Sequence, residues 1–265
     1  DEDTTNDTAE DVSGSNDGAI NGPTLVKEGQ VGEAYEFNGT EDYVQVEDDD
    51  SYDNSEISVS AWFYLDENNS GHQQIFCKRS ADKKWLNTWW LMLEDGDELR
   101  WGWYDGNNWH NTRGSESIST EQWYHVVGTI DINDNLKLYV DGGQEDSLAT
   151  TVTMTTSDAP LDIGAVIDSY HHSNSSSDQN FFDGKLDEVA IWDTALSKAE
   201  IQELYHRTTT QNYLDRAVKN ADSIDKITVT HGTYSLTEKI TSPLKLTSQL
   251  GSADHTYLED DLVVD

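Results

Sequence analysis

Between Ala19 and about Asp193 apolar and polar side chains alternate with a period of two, and Gly, Asn and Asp interrupt the runs. Successive side chains of a strand face opposite ways, so this alternation specifies antiparallel sheets with one buried face rather than helices. In Ile57-Ser58-Val59-Ser60-Ala61-Trp62-Phe63-Tyr64-Leu65 the odd positions are apolar, and Ser58 and Ser60 point the other way. In Leu136-Lys137-Leu138-Tyr139-Val140 the even positions form the inner face, and Asp141-Gly142-Gly143 supplies a turn. The stretch Trp123 to Ile130 joins Leu136 to Val140 through Asp131-Ile132-Asn133-Asp134-Asn135, residues that tolerate hairpin dihedrals. Short strands with turn signals at roughly 8 to 12 residue intervals predict an all-β antiparallel jelly-roll sandwich.

Helical spacing appears only afterwards. Ser197 and Glu200 form a capping box ahead of Ile201, Leu204 and Tyr205, and a second short amphipathic stretch covers Tyr213 to Ala221. Strand signals then return in Ile224 to Val229, His231-Gly232-Thr233-Tyr234, Ile240 and Pro243 to Leu246. Residues 1–17 hold only Ala9 and Val12 as apolar side chains and read as an acidic linker. The organisation expected is a linker over 1–17, a jelly roll over 18–207, and a helical connector with further strands over 208–265.

The charge is lopsided: 33 Asp and 19 Glu against 11 Lys and 5 Arg give a formal net charge of −36. Such a surface repels phosphate backbones and anionic headgroups, so neither nucleic acid nor membrane insertion is expected. The acids are spread along the chain, as in proteins kept hydrated in high salt, and a halophilic source is expected. Nine Trp, twelve Tyr and five Phe supply a core that an acidic disordered chain lacks. The single cysteine, Cys77, excludes an intrachain disulfide and reads as a small packed hydrophobe. A start at Asp1, without a leader, reads as a piece of a longer polypeptide.

Four stretches together resemble the laminin-G-like, concanavalin-type jelly-roll family. They are Gly32 to Gly39 with Tyr43-Val44; Ile57 to Phe63; Trp123-Tyr124-His125-Val126-Val127-Gly128-Thr129 with Leu136 to Gly142; and Gly184-Lys185-Leu186-Asp187-Glu188-Val189-Ala190-Ile191-Trp192. The resemblance covers residues 18–207 and includes the closing helix. It implies a lectin-like or adhesion fold, and a structural calcium tying the first loop to the last strand. Carried onto this sequence, the ligands are the carbonyls of Asn38 and Gly39 and the carboxylate of Asp187; Ca2+ also suits loops dense in Asp, Asn and carbonyl oxygen. Residues 214–265 resemble the first coils of a right-handed parallel β-helix, too few to stand alone; the resemblance implies either that the parent polypeptide continues or that a partner chain covers the open end, as in a homo-oligomer formed through the β-helix.

Glu94, Asp97 and Glu98 sit on a tight turn without the alternating carboxylates of a glucanase strand, so no catalysis is expected there. His171-His172 lacks a nucleophile and an orienting group. Glu47 to Asp50 read as solvated. Six tryptophans lie between Trp85 and Trp109. Trp89, Leu91 and Leu93, like Leu99, Trp101 and Trp103, share a face and read as core. Trp90, Tyr104 and Trp109 fall on the other parity or in a loop and are candidate sugar-stacking residues, the alternative for each being plain packing within the sheet, with Tyr170 and His171 on the long polar loop 168–178 as a border of the binding surface. Asn6, Asn38, Asn68 and Asn174 begin Asn-X-Ser/Thr triplets.

These features predict a non-enzymatic, extracellular recognition module, mounted on a β-helical stalk of a haloarchaeal cell surface or virion. Its partner is a glycan or a glycosylated cell-surface protein. The alternatives are an accessory domain of a polysaccharide-degrading β-helix enzyme, and a structural spacer.

Overall fold

The computed structural model describes residues 8–68, 71–79, 87–104, 108–115, 117–131, 135–150, 157–167 and 180–220, and four short strands beyond them. The strands in order are β1 (Thr8–Ala9), β2 (Gly18–Asn21), β3 (Thr24–Val26), β4 (Ala34–Asn38) and β5 (Tyr43–Val46). Next come β6 (Ile57–Leu65), β7 (Gln73–Arg79), β8 (Asn87–Glu94), β9 (Glu98–Tyr104) and β10 (Trp109–Arg113). The third group is β11 (Trp123–Asp131), β12 (Asn135–Val140), β13 (Gly143–Leu148), β14 (Leu161–Ile163) and β15 (Asp183–Trp192). They form two antiparallel sheets, one in the order β1-β2-β5-β14-β7-β8-β9-β10 and the other β13-β12-β11-β6-β15-β4-β3. This is the sandwich that the alternation predicts.

The inner faces are the ones read from parity. Ile57, Val59, Ala61, Phe63 and Leu65 of β6 are fully buried, as are Trp89, Leu91 and Leu93 of β8 and Leu99, Trp101 and Trp103 of β9. The large indoles bridge the layers: Trp101 Nε1 donates to the Thr129 carbonyl at 2.9 Å, and Trp89 Nε1 to the Tyr52 carbonyl at 2.9 Å. Each buries a large apolar area with its polar atom satisfied.

Three expectations need correction. The linker is ordered from Thr8: β1 pairs with β2, Ala9 packs on the core, and the Asp11 carboxylate accepts N–H bonds from Ser13 (2.9 Å) and Asn16 (3.1 Å). Local side-chain bonds and one added edge strand hold a segment too polar to build a core of its own. The two helices expected at 197–205 and 213–221 are one, α1 (Lys198–Asn220), which runs through the boundary expected at residue 207. Asp48 is not simply solvated, because its carboxylate receives the ammonium of Lys78, which faces inward and is fully buried; Lys78 also donates to the Ala159 carbonyl. A buried ammonium requires such partners.

Helix α1 starts with the capping box read from sequence, Ser197 N–H on Glu200 Oε2 (2.7 Å) and Glu200 N–H on Ser197 Oγ (3.3 Å). It covers the outer face of the second sheet, where Ile201 packs with Val127 and Tyr139. Beyond it, β16 (Lys226–Val229) pairs in parallel with β18 (Lys245–Ser248), and β17 (Gly232–Tyr234) with β19 (Thr256–Leu258).

Candidate functional site

The site is a patch of aromatic rings on the outer face of the first sheet, at its β8-β9-β10 end. Register places Trp90 opposite Gly102 and Trp109 opposite Tyr104. At Gly102 a Cβ would stand 2.3 Å from the Trp90 ring, so only glycine leaves room for the indole to lie across β9. Trp109 meets Trp90 edge-on, with centroids 5.0 Å apart at 76°, and leans on Tyr104 at 4.7 Å and 45°. The spacings are those of favourable aromatic pairs.

The three residues differ in what they offer. Trp109 is 48% exposed on the last strand of the sheet, Tyr104 is half-buried, and Trp90 is only 5% exposed. Trp90 therefore lies beneath the surface as the floor under Trp109, not as the exposed stacking ring that its parity predicts. Parity gave its face correctly, but neighbouring rings close over it. Its Nε1, like that of Trp103, is buried without an acceptor among the described residues, a cost of about 1–3 kcal/mol that Trp89 and Trp101 avoid.

Sequence reasoning missed Asn111. It stands two residues beyond Trp109 on the same face of β10, across from Gly102, and is half-buried. Strand alternation alone would have found it. Along the same face Arg100 pairs with Glu94 and lies 3.7 Å from Glu98, and Arg113 lies 3.2 Å from Glu98. Glu94 and Glu98 are thus held by guanidinium groups, which ties them to a structural role. Tyr170 and His171 lie outside the described residues.

The expected calcium ligands do not converge. Asn38 is the register partner of Asp183, and Gly39 N–H donates to the Phe182 carbonyl at 3.0 Å. Asp187 stands four residues further along β15, about 13 Å away at the usual strand rise, too far for one ion to reach both. The Asp187 carboxylate is engaged by backbone instead, accepting Val31 N–H at 2.8 Å and Glu188 N–H at 2.7 Å. Burial pushes its pKa up to about 7, against the lowering effect of the Val31 N–H. Asn38 and Asp183 border an acidic cleft with Glu41, Asp42 and Asp66, where Lys185 lies 3.3 Å from Glu36 and 3.4 Å from Asp66. Among the described residues no group of three or more His, Cys, Asp or Glu is placed to hold a metal.

A Ser-His pair lies on the other sheet. Ser60 Oγ and His125 Nε2 are 2.9 Å apart, yet His125 is 1% exposed, its Nδ1 has no partner among the described residues, and Trp62 and Tyr205 pack against its ring. Helix α1 covers it through Tyr205. The pair seats the helix.

A family model described as the Concanavalin A-like lectin/glucanases superfamily matches residues 38–202, more than half of the chain. No curated protein matches in sequence. Solved structures share the fold. The binding domain of Paraclostridial Mosquitocidal Protein 1 aligns with a TM-score of 0.56 at 17% identity, over 75% of this chain and 50% of that one. Domain 4 of AbnA, a GH43 extracellular arabinanase from Geobacillus stearothermophilus in complex with arabinotriose, aligns with a TM-score of 0.53 at 21% identity, over 70% of this chain and 82% of that one. Botulinum neurotoxin type C, from a study of cell entry through two ganglioside molecules, aligns at 0.55 and 13% identity, over 75% and 49%. The chain spans about half the length of the two toxin chains it matches.

Proposed function

The chain belongs to the concanavalin A-like lectin/glucanase superfamily, and from that footing we propose that it is a glycan-binding module whose ligand stacks on Trp109. One observation carries this reading: a tryptophan nearly half exposed, inclined against Tyr104, supported from below by Trp90 and flanked by the Asn111 carboxamide. An inclined pair of rings offers two apolar surfaces to the C–H face of a pyranose, and a carboxamide both donates to and accepts from its hydroxyls. The ion-paired carboxylates of this face and the buried Ser60–His125 pair favour binding over catalysis.

The partner in this reading is a glycan or a glycosylated cell-surface protein outside the cell. The parallel strands β16 to β19 serve as the first coils of a stalk on a haloarchaeal surface or virion protein, and the −36 charge suits that setting. A second reading, an accessory sugar-binding domain of a polysaccharide-degrading enzyme, is favoured by the match to an arabinanase domain over 82% of that domain's length. A glycan array probed with the chain and with Trp109→Ala tests the shared core of both. Binding that falls by about tenfold or more in the variant, at unchanged melting temperature, supports it.

A further inference from the structure

We propose that Asn38 is an N-glycosylation site, its own turn presenting the carboxamide for transfer. Asn38-Gly39-Thr40 forms a closed turn around one oxygen: Asn38 Oδ1 accepts from Thr40 Oγ1 at 2.9 Å, Thr40 N–H at 2.9 Å and Glu41 N–H at 3.0 Å. Three donors on the carboxamide oxygen make its N–H groups more acidic, which favours loss of the proton that must leave when nitrogen attacks. Asn38 and Thr40 are both exposed.

The bonds span only two or three residues, so the turn depends on local sequence rather than on contacts from the rest of the sandwich. Gly39, at φ +70°, supplies the left-handed residue at its centre. After folding the turn survives at the end of β4, where the side chain still points to solvent and a glycan is tolerated.

The step is a glycosyl transfer catalysed by a host transferase, with a polyprenyl-phosphate-linked oligosaccharide as donor. Nδ2 attacks C1 of the first sugar and the C1–N bond forms. The C1–O bond to phosphate breaks, the phosphate leaves with the electron pair, and one Nδ2 proton passes to a base of the transferase. Asn38 lies on β4, in the sheet opposite the aromatic patch, so its modification is independent of sugar binding at Trp109.

The test is peptide mapping by mass spectrometry of the 265-residue chain secreted from a glycosylating eukaryotic host, alongside Thr40→Ser and Thr40→Val. The expected result is a glycan on Asn38 in the parent, retention in Thr40→Ser, and loss in Thr40→Val with occupancy at Asn68 unchanged. Thr40 is exposed, so neither variant threatens folding. A bare Asn38 in the parent, whatever the state of the other triplets, overturns the proposal, as does full occupancy in Thr40→Val.

Discussion

His125 is neutral in the fold because burial under α1 pulls its pKa down to about 4 from 6.5. Between those values the unfolded chain binds a proton that the native state refuses, so the contribution of His125 to stability falls as pH drops from about 6.5 to 4. The loss through this one group is roughly 3 kcal/mol. Asp187, with its raised pKa, acts in the opposite sense, releasing its penalty as pH falls through about 7, so the comparison must isolate the histidine. Denaturant melts of the parent and His125→Gln across this range are expected to diverge, the variant gaining stability relative to the parent as pH falls from about 6.5 to 4. Gly102→Ala is a second residue test. The added methyl collides with the Trp90 ring and with the His110 carbonyl at 2.8 Å, and the expected cost is about 1–3 kcal/mol with weakened glycan binding, read by thermal melts and array signal. Which face each indole takes was legible from parity; which one ends up covered was not, because the burial of Trp90 depends on Trp109 two strands away.

At the scale of elements, the strands and the capping box were legible because their signals are local. The seat of the helix was not. Ser58 and Ser60 point away from the core as their parity requires, yet both are buried because α1 and the segment leading into it close over that face: Ser58 Oγ donates to the Thr194 carbonyl at 2.8 Å, and Trp62 Nε1 donates to Thr208 Oγ1 at 2.9 Å. A polar outer face read from sequence becomes an interior one only when a distant segment docks on it. Ile201 is the apolar anchor of that docking, fully buried against Val127 and Tyr139. Ile201→Ala is expected to cost about 2–5 kcal/mol in denaturant melts. A cost under about 0.5 kcal/mol would mean that the helix is not held by this contact.

For the whole molecule, the two-sheet architecture follows from a pattern carried by many strands at once, which is why a period of two predicted it. The expected calcium ligands depend on register at a longer reach, and the structure does not bring the three together: Asn38 faces Asp183 while Asp187 holds backbone N–H groups. The −36 charge makes a prediction of its own: self-repulsion is screened over about 3 Å at molar salt and about 10 Å at 0.1 M, so the melting temperature is expected to fall on dilution. An unchanged melting temperature from molar salt to dilute buffer would remove the halophile argument. The central claim, that a sugar stacks on Trp109, is tested most directly by titrating the strongest array ligand into the chain and into Trp109→Ala by calorimetry at constant salt. The expected result is an affinity loss of about tenfold or more at equal fold stability. Equal affinity in the two proteins would contradict it.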